Sequence, residues 1–411
     1  MTIIDALDGL DAFDWAELQH AYGSAEDVPD LLRALRTDDA AAREQAMHAL
    51  YGNIFHQGSR YEASAYAVPF LVALATDAHT PDRAAILALI GSLTVGYDES
   101  HLPQGLDIAG WRAEIEELHA GDREEMRRRV EEWVEEAVDE GDRRVREMRL
   151  RMFDPDGSYE YARHELAVYD AVRSHVLRLL ALLDDPDAAV RTGAVYALAW
   201  FPEEARQIVP RLHALLLEER LPAVTGSALL AVALVTVPDD AETIGILRQQ
   251  LGAEEPLPRW AAAVGLARLG AADADVVAIL AAAVVDPPAQ DAPGVPFQSG
   301  DLRGYTSVAL VAVDRTVAVG ALDALLAGLA RTSGPSAFAV TSAVLYVAFG
   351  GGNPRPLPLY DELDEVTRKV VHGLAELDAN TWRWGNFTMM LSPYNLPTDR
   401  AACRRYAGLI E

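Results

Sequence analysis

The residues best suited to chemistry or binding lie in one connector near the start of the chain. It runs from Leu50 to Val68, a spacing of 18 positions, compared with 11 positions from Leu198 to Val209. Its side chains combine hydrogen-bond donors, acceptors and an aromatic face. Binding residues concentrate on loops that a rigid scaffold carries. The connector therefore predicts a recognition patch made of His56, Gln57, Arg60, Tyr61, Glu62 and Ser64.

A second turn, just before Val28-Pro29, contains His20 and Tyr22. Stacked helix pairs would bring this turn and the connector to the same edge of the protein, so we predict that both residues belong to the same patch. Three interpretations of the patch stay open: side chains that cap helices and fix turns, a binding site, or a catalytic site.

Motifs typical of enzymes and metal sites are missing from the chain. There is no Gly-x-Ser-x-Gly elbow and no His-Glu-x-x-His pair, and the run from Gly350 to Asn353 lacks the Lys-Ser/Thr of a phosphate loop. His164 and His175 are eleven residues apart on a predicted helix, but two imidazoles do not make a metal site. We therefore predict no catalytic residue, no metal ligand and no cofactor.

A second aromatic cluster lies near the end of the chain. Aromatic side chains beside an arginine are typical of interface hot spots, and equally of a cap that covers the apolar side of a last repeat. We favour the cap and keep the interface as the alternative. The cluster consists of Trp382, Arg383, Trp384, Asn386 and Tyr394.

These residues must be positioned by an internal repeat. A block with small residues at helical spacing begins at Arg191 and recurs 34 residues later at Thr225 and again at Arg259. Each copy follows a Leu-rich block, such as Val209-Pro210-Arg211-Leu212, by 15 or 16 residues. A fixed period of this size predicts stacked helix pairs. The small residues of each second helix allow close approach to its neighbours.

The repeat resembles HEAT and phycobilisome-lyase-type HEAT-like repeats, most clearly at Asp185-Pro186-Asp187-Ala188-Ala189-Val190-Arg191. The resemblance covers about Ile3 to Val95 and again Leu166 to Asp286. The part from Trp15 to Leu74 also resembles a group of bacterial HEAT-repeat proteins without an assigned activity. The resemblance implies an all-α fold, a right-handed alpha-alpha superhelix in which antiparallel helix pairs form a HEAT-like solenoid.

The repeat and its interruptions predict one continuous solenoid domain in five parts. N-terminal HEAT-like pairs occupy 1–96, a charged helical insertion 97–165 and central repeats 166–286. A Pro-rich loop at 287–304, long enough to be functional or disordered, precedes C-terminal helical repeats and a cap at 305–411.

The insertion is densely charged between Trp111 and Arg151. Opposite charges four residues apart, such as Glu125 and Arg129, predict exposed helix. We expect one or two long helices broken near Gly121 and Gly141. They form either a solvated hairpin packed on the solenoid or an arm for dimerisation or partner binding.

Composition restricts the partners. The chain has 63 acidic and 35 basic residues and a formal net charge of -28, which argues against nucleic acid because phosphate binding needs a basic surface. The only cysteine is Cys403, the first residues lack a secretory signal, and the longest apolar run, Gly226 to Val237, is too short to span a bilayer. A cytoplasmic location without membrane association is the expectation.

We therefore expect a non-catalytic, acidic scaffold that binds a protein partner of basic character. A strong negative field steers basic partners toward the surface. Two alternatives stay open: an immunity-type neutraliser of a toxin, and a small-molecule lyase or related enzyme on a HEAT-like fold. The second rests on fold analogy alone.

Overall fold

A computed structural model of the chain describes residues 5–137, 140–351 and 357–410. These residues form 23 α-helices and two short β-hairpins, so the predicted all-α class of paired helices is confirmed. Within the described ranges, no helix has both the length and the apolar character to cross a membrane. The start of the HEAT-like resemblance at Ile3 and the end of the glycine run from Gly350 to Asn353, which the sequence indicates as a break between helices, lie outside the described residues.

The chain divides into two compact units. Unit 1 comprises 5–96 and 106–179 among the described residues. Its hairpins are β1 (Gln19–His20) with β2 (Gly23–Ser24), and β3 (Phe55–His56) with β4 (Ser59–Arg60). Its helices are α1 (Val28–Ala34), α2 (Ala40–Asn53), α3 (Glu62–Thr76), α4 (Arg83–Val95), α5 (Ile108–Ala120), α6 (Arg123–Glu135), α7 (Glu140–Arg151) and α8 (Pro155–Arg173).

Unit 2 comprises 97–105 and 180–410 among the described residues. The short helix α9 (Val176–Ala181) contains the boundary. The helices that follow are α10 (Ala188–Leu198), α11 (Ala205–Glu218), α12 (Pro222–Val235), α13 (Ala241–Gln250), α14 (Pro256–Arg268), α15 (Ala274–Val285), α16 (Leu302–Val313), α17 (Arg315–Gly320), α18 (Leu322–Leu329), α19 (Phe338–Phe349), α20 (Glu365–Glu376), α21 (Ala379–Trp382), α22 (Gly385–Leu391) and α23 (Arg400–Tyr406).

The core of unit 2 is a row of small-residue helices. α10, α12, α14, α16 and α19 pack against one another in sequence, and α11, α13 and α15 pair with the members of this row. The second helix of each predicted repeat therefore lies inside the stack. Ala194, Ala228 and Ala262, one from each repeat, have no exposed surface, as the 34-residue spacing predicts.

Aspartates begin many of these helices. Asp187 accepts a hydrogen bond from Ala189 N at 2.8 Å at the start of α10, and Asp240 accepts one from Thr243 N at 2.8 Å at the start of α13. An N-cap carboxylate satisfies a backbone N–H that has no partner within the helix. Part of the acidic composition is therefore local helix chemistry.

The charged insertion has two parts with different environments. α8 packs against α3 and α4, and Val168, Tyr169 and Val172 on it are buried. α6 and α7 instead pair with each other, and most of their side chains are exposed. Both predicted breaks are present: α5 ends at Ala120 just before Gly121, and α6 ends at Glu135 while α7 begins at Glu140, next to Gly141.

Candidate functional site

The two predicted loops of the recognition patch are β-hairpins. β1 and β2 pair His20 with Gly23, and β3 and β4 pair His56 with Ser59. The sequence predicts an inter-helix loop and an inter-helix turn at these two places, and the structure adds strand pairing to both. The second hairpin forms because Gln57 and Gly58 both have positive φ, 52° and 89°, which is the backbone conformation of a tight two-residue hairpin turn. This hairpin lies within the connector that is seven positions longer than its counterpart in the later repeats.

His20 is a buried support of the first hairpin. Its Nδ1 accepts a hydrogen bond from Tyr22 N at 3.0 Å, so the ring hydrogen is on Nε2, which donates to Asp27 Oδ1 at 3.0 Å. The other oxygen of Asp27 accepts from Asn53 Nδ2 at 2.9 Å. Asn53 also accepts from Ala21 N at 3.1 Å through its backbone carbonyl. These bonds attach the hairpin to the end of α2.

Arg60 supports the second hairpin from within unit 1. Its side chain is 7% exposed, and Nη1 lies 2.9 Å from Glu165 Oε1 and donates to Gly58 O at 2.7 Å. The guanidinium carbon is 6.0 Å from the centre of the Trp111 ring. Arg60 was predicted as a recognition residue, but its burial makes it a structural anchor between β4 and α8.

Burial shifts the pKa values of both members of this ion pair toward their neutral forms. Burial raises the pKa of Glu165, although the Arg60 charge and hydrogen bonds from Tyr161 and from the Arg60 backbone oppose this shift. Burial likewise lowers the pKa of Arg60. Each charge therefore depends on the other for its stability in this environment.

Ser64 is likewise structural. Its hydroxyl donates to Ile54 O at 2.6 Å and accepts from Tyr61 N at 2.8 Å, and the residue has no exposed surface. It closes a capping box at the start of α3. Ser64 thus corresponds to the capping interpretation of the patch.

The remaining predicted residues form an accessible surface, which we call the hairpin face. Tyr22 is 72% exposed, and its Oη lies 3.4 Å from His56 Nδ1, with the two rings 5.4 Å apart. This contact shows that the two predicted loops meet. Burial raises the pKa of Tyr61, and a hydrogen bond between Tyr61 and Ser59 opposes this shift. The hairpin face consists of Tyr22, His56, Gln57, Tyr61 and Glu62.

Several residues that build this site were missed by the sequence analysis. Asp27 and Asn53 hold His20, while Trp111, Tyr161 and Glu165 hold Arg60. The spacing of Tyr161 and Glu165, four residues apart, places them on one side of a helix. It could not indicate that this side meets β4, about a hundred residues earlier in the sequence.

The His20 imidazole does not have the arrangement of a general base. Both ring nitrogens of His20 are engaged inside the protein, and a base must reach the proton of its substrate. The prediction that His164 and His175 lie on one helix is wrong, because α8 ends at Arg173. Across the described ranges, no group of three or more His, Cys, Asp or Glu side chains could hold a metal ion.

The predicted C-terminal cluster is divided between core and surface. The Trp382 ring is buried and lies 4.9 Å from Phe387, and the Tyr394 ring lies 5.3 Å from Phe349. Burial raises the pKa of Tyr394. On the surface, the Arg383 guanidinium stands 6.0 Å from the ring of Trp384, which is 39% exposed, and Asn386 is exposed.

Comparisons with known proteins place few constraints on this chain. No protein-family model matches the sequence, and no curated protein matches it. Among solved structures, the chain is similar to the crystal structure of an engineered protein from the Northeast Structural Genomics Consortium, at 15% identity and a TM-score of 0.27. That alignment covers 93% of this chain and 98% of the engineered one. A likeness at this level does not extend to function.

Proposed function

We propose that this protein is a non-catalytic, acidic helical-repeat protein of the HEAT type that binds a basic protein through the hairpin face of unit 1. The observation that carries the proposal is the meeting of two hairpins, which leaves the Tyr22 ring 72% exposed beside His56. A large aromatic side chain exposed on a fixed backbone is the usual anchor of a protein interface.

Rigid support favours a binding role for this surface. The His20–Asp27 bond on one hairpin and the Arg60–Glu165 pair on the other hold the backbone beneath the exposed rings. A preorganised surface loses little conformational entropy when a partner binds. The Tyr22 ring contacts His56 but stays largely exposed, so most of its surface is open to a partner.

Charge indicates the chemistry of the partner. The formal net charge is -28, and exposed acids flank the first hairpin at Asp14, Glu17 and Glu26. Tyrosine rings beside carboxylates favour arginine and lysine side chains through cation–π and ionic attraction. A toxin of basic character fits this description as well as any other basic protein, so the immunity-type role is a special case of the proposal. A cytoplasmic location belongs to the same proposal, since Cys403 is the single cysteine.

The test is site-specific photocrosslinking followed by an affinity measurement. A photoreactive residue at position 22 or 57 should capture one basic protein directly, whereas the same residue at position 346 in unit 2 should not. Tyr346 is a matched control because its ring is also partly exposed, at 41%.

The captured partner is then titrated against variants. Tyr22→Ala with Tyr61→Ala should weaken binding by at least ~30-fold, equivalent to ~2 kcal/mol, and affinity should fall with added salt. The melting temperature should barely change, and Tyr346→Ala should bind normally. An acidic partner, or equal weakening by Tyr346→Ala, would reject the proposal.

A further inference from the structure

The connection between α15 and α16 in unit 2 is an ordered strap. We define the strap as residues 287–301, most of the predicted Pro-rich loop. Gln290 organises it, because its side-chain oxygen accepts from Val295 N at 2.7 Å and its side-chain nitrogen donates to Gly300 O at 3.1 Å. The alternative that this loop is disordered does not hold.

The strap ends in an unfavourable backbone conformation. Gln298 and Ser299 have φ values of 55° and 52°, in the left-handed region that is unfavourable for residues other than glycine. Two consecutive residues of this kind persist only where the surroundings hold them.

An aromatic side chain and two carboxyl groups hold this end of the strap. Phe297 has no exposed surface, and its ring lies 5.0 Å from Tyr196 and 5.9 Å from Trp200. Asp98, which is 3% exposed, accepts a hydrogen bond from Gln298 N at 2.9 Å. Next to it, Glu99 accepts from Ser299 Oγ at 3.2 Å. Both left-handed residues are thus bonded to adjacent acids.

We propose that Asp98 makes the strap a proton-dependent latch: the strap stays closed over Tyr196 and Trp200 while the buried Asp98 is protonated, and it opens more often and uncovers these rings when Asp98 loses its proton, because the ionised carboxylate beside Glu99 is hydrated only in the open state. This device is independent of the hairpin face, which belongs to unit 1.

The surroundings of Asp98 favour its protonated form. Burial and the neighbouring Glu99 carboxylate raise the pKa of Asp98 to about 7, while hydrogen bonds from Gln298 N and Tyr196 oppose the shift. The buried Tyr305 phenol on α16 also interacts with Asp98.

Two further charged groups lie near this environment. Arg268 on α14 interacts with Tyr305, and burial lowers the pKa of this arginine. Asp301 follows the left-handed turn and accepts from Gly304 N at 2.9 Å at the start of α16; burial raises its pKa. His101 directly follows the short 3-10 helix Asp98–Ser100, and its ring lies 6.3 Å from the ring of Trp200.

The sign of the pH dependence follows from proton binding. In the open state Asp98 is solvated and returns toward its ordinary pKa of 3.8, whereas in the closed state the pKa is about 7. Closing therefore takes up a proton between these values. The opening constant should rise by up to about tenfold per pH unit from roughly pH 4 to pH 7, and then level off.

The experiment is amide hydrogen exchange of the full chain between pH 5 and pH 8, read at Gln298 and Ser299. After correction for intrinsic exchange, opening should increase by up to about a hundredfold from pH 5 to pH 7 and remain level above it. Asp98→Asn should remove this dependence, because asparagine can accept the Gln298 N–H without titrating. Asp323→Asn, an exposed acid on α18, is the matched control and should behave as the natural chain.

A second variant keeps the test decisive if Asp98→Asn fails to fold. Glu99→Gln removes a charge that disfavours ionisation of Asp98, so the opening of the strap should stop increasing at a lower pH than in the natural chain. Opening that is equal at pH 5 and pH 7 in the natural chain would overturn the proposal. So would an unchanged profile in both Asp98→Asn and Glu99→Gln.

Discussion

Unit 1 and unit 2 each bury a carboxyl group that contacts a segment between two helices, and they do so in different ways. Glu165 in unit 1 lies 2.9 Å from the Arg60 guanidinium, and the pair ties a hairpin to α8. Asp98 in unit 2 has another carboxylate, Glu99, next to it, and its pKa rises to about 7. Burial raises the pKa of both acids, but the Arg60 charge opposes the rise at Glu165, whereas the Glu99 charge adds to the rise at Asp98.

The largest expected effect comes from removing the cation of the unit 1 anchor. Arg60→Ala leaves Glu165 buried without its partner, which should lower the free energy of unfolding by about 3–5 kcal/mol. The urea midpoint measures this change. Arg33→Ala is the control in the same unit, because Arg33 pairs with Asp11 and Asp30 at the surface, and the midpoint should stay close to that of the natural chain. Equal effects of the two substitutions would contradict the assignment of Arg60 as the anchor.

The corresponding substitution in unit 2, Asp98→Asn, should raise the free energy of unfolding where Arg60→Ala lowers it. The pKa of Asp98 is raised on folding, so its contribution to stability is complete below about pH 4 and is lost as pH rises toward 7. Asp98→Asn should therefore stabilise the protein at pH 8 by an amount on the order of 1–4 kcal/mol, and the gain should vanish near pH 4. Melting temperatures at the two pH values test this; destabilisation at pH 8 would show that the charge of Asp98 is needed.

A substitution that alters no charge provides a reference for the Arg60 and Asp98 variants. Ala228 lies within α12 and has no exposed surface, so Ala228→Leu should overpack the row of small-residue helices and cost about 1–3 kcal/mol at any pH. Ala282→Leu, at an exposed position on α15, is the control of equal chemistry. If both variants unfold at the same urea concentration, the close packing of α12 does not limit stability.

The smallest expected effect is a coupling within the unit 1 anchor. Gly96 has a φ of 75°, and a Cβ atom there would stand 2.5 Å from Arg60 Nη1 and 2.8 Å from Gly58 O. Gly96→Ala should destabilise the natural chain, and by about 1 kcal/mol less when Arg60 is already alanine, because one clash is then absent. A double-mutant cycle from urea unfolding measures this coupling, and strict additivity would mean that the guanidinium does not press on Gly96.

The recognition patch shows how far the prediction of a site could go. Five of its eight residues lie in two hairpins that meet at Tyr22 and His56, and the other three, Tyr61, Glu62 and Ser64, stand at the start of α3 directly after the second hairpin. Sequence could not separate the accessible from the buried members, because Arg60 and Tyr61 are adjacent and equally suited to binding. Arg60 is buried by α8, which comes about a hundred residues later in the chain. The role of the patch as a binding surface stays a proposal.

The sequence by itself determined where the helices form, how they pair and where many of them begin. These depend on local causes: apolar periodicity, small residues at a 34-residue spacing, and aspartates such as Asp187 and Asp240 that cap the helix that follows. Only the tertiary structure decided which polar residues became anchors. Glu165 reaches Arg60, and Asp98 reaches Gln298 across 200 residues, because burial and the identity of a charge partner depend on packing between distant segments, which no local pattern encodes.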